Sequence, residues 1–159
     1  MTVYVSLNTY KKNGLVVMKN KIITGITCVC LIASGFIFSQ RSKNNLSEVH
    51  EHLQALTHCA LASSKVDFIV IDGLRTAEEH QENLRNGKSW TKRSRHQDGL
   101  AVDVAAYVDG KVTYDPQPYH KISEAFYLCS KHMNIPLTWG GEWRVKDLMH
   151  FELNRTAYP

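Results

Sequence analysis

No two cysteines in this chain are spaced Cys-x-x-Cys, and none of Cys28, Cys30, Cys59 and Cys129 lies near His96 or His150. Cys28 and Cys30 fall inside an apolar run, where thiols pass as small hydrophobes. Cys59 and Cys129 sit on the apolar faces of predicted helices. A Cys59–Cys129 disulfide would need an oxidising compartment; buried free thiols are the expected state. Acids are missing altogether before residue 40, where Lys11, Lys12, Lys19 and Lys21 stand. From Gln40 onward 15 Lys and Arg balance 15 Asp and Glu, so the net charge of +4 belongs to the N-terminal flank. That distribution excludes a nucleic-acid footprint. Repeats and low-complexity tracts are absent too. A chain of 159 residues is then one domain plus an extension, long enough for a true core.

The extension is residues 1–39. Residues 22–39 carry no charge and follow Lys19 and Lys21. A helix over them would rise about 27 Å, close to the ~30 Å of a bilayer core. The basic flank predicts a cytoplasmic N-terminus with the remainder exported. Two Gly, two Thr and two Ser make the run weakly apolar, and Ala33-Ser34-Gly35 offers a small-x-small cleavage site, so a signal peptide competes with an anchor. Residues 1–17 look like neither signal nor domain. Met18-Lys19-Asn20-Lys21 would be a sufficient basic start by itself, and translation is expected to begin at Met18.

From Gln40 the pattern predicts α+β, a small, mostly antiparallel sheet with packed helices. Leu46, Val49, Leu53, Leu56, Ala60 and Leu61 line one face of a helix over 45–63. Residues 66–72 read as a central strand, β-branched and apolar. Thr76 and Glu79 form a capping box for a helix that ends near Asn86, with Gly87 after it. Residues 88–98 form a basic loop without periodicity. In 100–107, Leu100, Val102 and Val104 alternate with Ala101, Asp103 and Ala105, which turns Asp103 away from the large apolar side chains. Asp109-Gly110 marks a hairpin to a strand at 111–114. A helix over 119–133 places Ile122, Phe126, Cys129 and Met133 on one face. Short strands at 135–139, at an edge because of Pro136, and at 149–153 complete the chain.

Two polar clusters stand out. Ser94-Arg95-His96-Gln97-Asp98-Gly99-Leu100-Ala101-Val102-Asp103 brings a histidine and an aspartate, and Asp147-Leu148-Met149-His150-Phe151-Glu152 brings a second histidine and two acids. Two imidazoles and one carboxylate leave a zinc ion net positive with an open position, the arrangement of a catalytic site. A spare carboxylate can then act as base. Asp147, three residues before His150, suits that role; Glu152 is an alternative base or a support for a ligand. Arg75, leaving the strand at 66–72, is placed to donate to an oxyanion. The other six histidines, His50, His52, His58, His80, His120 and His132, read as surface or capping residues.

The segment SRHQDGLAVDV resembles the SxHxxGxAxD motif of the zinc D-alanyl-D-alanine carboxypeptidase family, which includes phage L-alanyl-D-glutamate endopeptidases. FSQRSKNNL, DFIVIDGLRTAEEHQ and WGGEWRVKDLMHFEL look like its endolysin branch, so the resemblance covers residues 38–159. It implies that His96, Asp103 and His150 bind zinc, that Asp147 is the general base and acid, and that Arg75 polarises the carbonyl. Asp147 stands where the dipeptidase branch carries Glu, which favours the endolysin branch. The implied fold is the α+β fold shared with the hedgehog signalling domain. The implied function is cleavage of the peptidoglycan stem peptide, between L-Ala and D-Glu, in phage-driven lysis. The alternatives are a D,D-carboxypeptidase and a zinc-stabilised wall-binding domain without activity. Residues 1–17 are then a flank, 18–39 a signal peptide or a signal-arrest-release anchor in the inner membrane, and 40–159 a monomeric zinc peptidase domain destined for the periplasm.

Overall fold

Residues 9–12, 15–18 and 37–159 are described by the computed structural model, with side chains from residue 37 onward. The chain divides into two units, residues 1–31 and 32–159. In the first, β1 (Thr9–Lys12) pairs antiparallel with β2 (Leu15–Met18), in a register that sets Thr9 opposite Met18. This hairpin lies in the flank that showed no organisation, although Asn13-Gly14 between two strand-like runs is a turn signal. Translation from Met18 would leave only the last residue of the pair. Among the described residues no helix is long and apolar enough to cross a membrane. The proposed anchor at 22–39 lies, up to residue 36, outside the described residues.

The second unit opens with α1 (Gln40–Leu46) and α2 (Glu51–Ser63), where one helix over 45–63 was expected. The break has a local cause. The Ser47 amide and hydroxyl both donate to the Asn44 carbonyl, ending α1, and His50 Nδ1 accepts from the His52 amide, capping α2. The apolar stripe survives the break, since Leu46, Val49, Leu53, Leu56, Ala60 and Leu61 are all buried.

Next come β3 (Asp67–Asp72) and α3 (Ala77–Arg85), the latter with the Thr76–Glu79 capping box in place. Then follow β4 (Ala101–Val108), β5 (Lys111–Thr113) and α4 (Pro116–Met133), with Asp109-Gly110 turning between β4 and β5. The last strands are β6 (Leu137–Trp139) and β7 (His150–Leu153). The sheet order is β3-β4-β7-β6, with β5 also on β4, and every pairing is antiparallel.

β3 is an edge strand, not a central one. Its open edge is closed by α1: Asn45 Nδ2 donates to the Val70 carbonyl and the Val70 amide donates to Ser42 Oγ, which explains why so apolar a strand can stand at an edge. Met133 is 37% exposed, because α4 reaches its end there and only Ile122, Phe126 and Cys129 of that stripe are buried.

The core lies where α2 and α4 meet the sheet. Phe126 of α4 stacks on Phe151 of β7 at 4.0 Å between ring centroids and lies 5.8 Å from Phe68 of β3. Truncating a buried aromatic of this kind to Ala costs about 3–5 kcal/mol. Cys59 and Cys129, expected as free thiols, form a disulfide between α2 and α4. The two helices pack side by side and bring the Cα atoms to 6.0 Å, within bridging range. Spacing along the chain carried no sign of that packing.

Candidate metal centre and its cleft

Asp103 and His150 meet because β4 and β7 pair with these two residues directly opposite each other. Val102 and Val104 point into the core, so Asp103 between them projects to the other face. On the far side of β4, the register with β3 shifts between Val70 and Asp72, and Asp72 comes to lie opposite Asp103. Irregularities of this sort re-aim side chains beside functional sites.

His96 arrives in a 3₁₀ turn, Arg95–Asp98, not in an irregular loop. Ser94 caps the turn and Gln97 reaches back to the Ser94 amide, a second capping box that the polarity of residues 88–98 concealed. The Arg75 amide donates to the His96 carbonyl at 3.0 Å, tying the turn to the end of β3. Gly73 completes the junction. A Cβ there would lie 1.8 Å from the Asn45 carbonyl oxygen, so only glycine lets the backbone pass. The Gly73 carbonyl accepts from His96 Nδ1 at 2.8 Å.

Three atoms then face one another. His96 Nε2 is 3.3 Å from His150 Nδ1 and 3.3 Å from Asp103 Oδ1, and His150 Nδ1 is 3.1 Å from Asp103 Oδ1. Ligands of a tetrahedral zinc, each about 2.0–2.1 Å from the ion, lie about 3.3 Å apart. The remaining imidazole nitrogens are both occupied as donors. His96 Nδ1 bonds Gly73, and His150 Nε2 donates to Glu152 Oε2 at 3.1 Å. Each bond presents the opposite nitrogen, with its lone pair, to the shared centre. These three residues can hold a metal ion.

The electrostatics call for positive charge at that centre. Burial pulls the His150 imidazole down, but hydrogen bonds to Asp103 and Glu152 outweigh it and push the metal-free group up to about 9. Burial raises the Asp103 carboxyl, yet the hydrogen bonds from His150 and His96 drive it far below the ordinary carboxylate range. Glu152 is also buried. Burial raises it, and the bonds from His150 and from Arg155 bring it to about 2. A divalent ion would replace the imidazole proton as the source of that positive charge.

Asp147 lies beside this group on the wall of the same cleft. Burial first, and then the Asp103 charge, raise its carboxyl. Its backbone is fixed by Gly140, whose carbonyl accepts from the Asp147 amide at 3.0 Å. A Cβ on Gly140 would come within 2.5 Å of the Asp147 carbonyl oxygen. Arg75 is held by Asp72, which takes both its Nε and Nη2, and Nη2 lies 3.8 Å from Asp103 Oδ2. Its side chain is nearly buried, which separates it from an ordinary surface ion pair.

All five expected site residues therefore line one cleft of ≈ 750 Å³, together with Trp90, Trp143 and Arg155. Trp143 packs its ring 5.1 Å from that of His150. Asp72, Gly73 and Arg155 were not anticipated. The i, i+3 spacings Asp72–Arg75 and Glu152–Arg155 were the available signals. Of the other histidines, His50 caps α2 as expected, whereas His80 is fully buried and bonds the Thr91 carbonyl.

The structure is similar to the crystal structure of Serratia marcescens L-Ala D-Glu endopeptidase ChiX, with a TM-score of 0.73 and 39% identity over 79% of this chain and 96% of that one. The fold is that of a peptidase. The L-alanyl-D-glutamate peptidase of Escherichia phage T5 is 32% identical over 77% of this chain and 93% of its own length. The enzyme of the same name from Listeria phage A118 is 26% identical over 76% of this chain, which spans 43% of that protein. Residues 34–159 match the phage L-alanyl-D-glutamate peptidase family, and the chain belongs to it.

Proposed function

We propose that this chain is a zinc endopeptidase that hydrolyses the L-Ala–D-Glu bond of the peptidoglycan stem peptide in phage-driven lysis. The observation that carries the zinc assignment is the mutual 3.1–3.3 Å spacing of His96 Nε2, Asp103 Oδ1 and His150 Nδ1. The two outer imidazole nitrogens are already spent on Gly73 and Glu152. Zinc held there would lower the pKa of a bound water and polarise a carbonyl.

The chain's own residues divide the remaining work. Asp147 accepts the proton of the attacking water and returns it to the leaving D-Glu amine; burial and the Asp103 charge raise its carboxyl, which favours that return. Arg75, fixed by Asp72 before substrate arrives, donates to the oxyanion. Glu152 orients His150, since its carboxylate is taken up by His150 and Arg155.

Mass spectrometry of muropeptides digested by the zinc-loaded protein tests the reading. A new D-Glu amino terminus is expected, and release of terminal D-Ala alone would make the enzyme a carboxypeptidase. Asp147→Ala should retain zinc and lose wall hydrolysis. Hydrolysis that persists would move the base elsewhere, with Glu142 or Glu152 next in line.

The uncharged run at 22–39 after Lys19 and Lys21 supports export, with the chain first held in the inner membrane and then released to the periplasm. Fractionation before and after an uncoupler checks this. Full-length protein that never leaves the membrane argues against release, and a shortened mature chain indicates signal cleavage.

A further inference from the structure

We infer that Arg155 reads the free α-carboxylate of the D-Glu residue on the leaving side of the scissile bond and so sets substrate specificity. The inference rests on the stem-peptide reading above. In that peptide D-Glu is joined onward through its side-chain carboxyl. Its α-carboxylate is therefore free and sits one carbon from the nitrogen that is released. A substrate with a charge so near the cut calls for a cation beside the candidate ligands.

Four arginines line the cleft, and each has protein partners. Arg75 is held by Asp72, Arg93 pairs with Asp98, and Arg95 donates to the carbonyls of Leu153 and Tyr158. Arg155 differs. It lines the cleft, and its side chain is 65% exposed. One edge of its guanidinium, Nε and Nη2, bonds Glu152 at 2.7 and 3.1 Å. Glu152 in turn accepts from His150 at 3.1 Å. A planar guanidinium has five donors, so the two spent on Glu152 leave the rest for a second carboxylate. Its backbone is fixed as well. Arg155 lies two residues past β7, in a turn closed by the Ala157 and Tyr158 amides donating to the Asn154 carbonyl at 3.1 and 2.9 Å. The fork is thus anchored on the residue that bonds His150, and Arg155 itself lines the substrate-sized cleft.

The test compares two synthetic stem peptides that differ only at the D-Glu α-carbon, one carrying the carboxylate and the other the carboxamide of isoglutamine. The zinc-loaded wild type should favour the carboxylate in kcat/KM by about 10- to 100-fold, the scale of one hydrogen bond to a charged group. In Arg155→Gln the ratio should fall to near one, and Arg155→Lys should keep part of it. A variant that merely loosened Glu152 or lost zinc would slow both peptides alike and leave the ratio in place. Calorimetric binding of both peptides to Asp147→Ala, with and without Arg155→Gln, should repeat the discrimination without turnover. A wild type that does not discriminate, or a ratio unchanged in Arg155→Gln, would overturn the assignment. If the wild type cleaves neither peptide, the peptidase reading fails instead, and the binding titration still reports on Arg155.

Discussion

Gly140→Ala offers the sharpest check on how Asp147, the proposed general base, is held. The added Cβ would lie 2.5 Å from the Asp147 carbonyl oxygen, 3.1 Å from Asp147 Cβ and 3.2 Å from His150 Cβ. The nearest of these is backbone, which cannot swing aside as a side-chain tip can. Restoring ordinary contact requires the Asp147 main chain to retreat by roughly 0.5–0.9 Å, and the Asp147–Gly140 hydrogen bond of 3.0 Å resists that movement. The His150 contact is milder and asks for a few tenths of an ångström. The main displacement therefore falls on Asp147 and not on His150. Misplacing a catalytic group by about 1 Å costs up to about 100-fold in rate, while overpacking of this kind costs about 1–3 kcal/mol of stability. Three measurements on one preparation decide the matter: muropeptide release for kcat, metal analysis for zinc, and thermal melting for the fold. The expected outcome is kcat lowered by about 10- to 100-fold with zinc retained and a folded protein. Wild-type kcat in Gly140→Ala beside an inactive Asp147→Ala would refute the claim that Gly140 positions the base. Activity in both would refute Asp147 as base.

Other perturbations follow from the same geometry. His96→Ala should abolish stoichiometric zinc binding, read by metal analysis after dialysis, because it removes one of the three proposed ligands. Glu152→Gln should weaken zinc affinity by about 10- to 100-fold in a chelator competition, since the carboxylate that accepts from His150 is lost. Replacing Cys59 and Cys129 by Ala should lower stability by about 2–4 kcal/mol in chemical denaturation, because the bridge closes a long loop between α2 and α4. Metal-free protein should lose stability in acid as Glu152 protonates. Its carboxyl lies at about 2 when folded against an ordinary 4.5, so its contribution is complete above about pH 4.5 and disappears as pH falls toward 2. Urea midpoints across that range check the sign, and a midpoint independent of pH would contradict it.

Much of the site was legible because its signals are local. The Thr76–Glu79 box, the alternation that turns Asp103 away from Val102 and Val104, and the Asp109-Gly110 turn each depend on neighbouring residues, and each appears as expected. The single helix expected over 45–63 is two helices for a related reason. Its apolar stripe is continuous, whereas the break depends on the Ser47 bonds to Asn44 and on the His50 amide donating to the distant Gly99 carbonyl. Periodicity reports a buried face and is blind to such partners. β3 was placed at the centre of the sheet because it is apolar, and its cover turned out to be a helix edge supplied by Ser42 and Asn45.

The sequence by itself determined which residue types could bind a metal, which carboxylate stood spare, and where the family's motifs lie, because residue chemistry and short spacings are written along the chain. Only the tertiary structure decided how these groups meet. Asp103 and His150 face each other through a β4–β7 register across 47 positions, and His96 is turned by a carbonyl 23 positions away. The same packing joined Cys59 to Cys129 and set Arg155 behind Glu152 at the edge of the cleft. Pairings of that range follow from strand register and helix packing, which depend on the whole fold at once and leave no mark in the spacing of the residues they bring together.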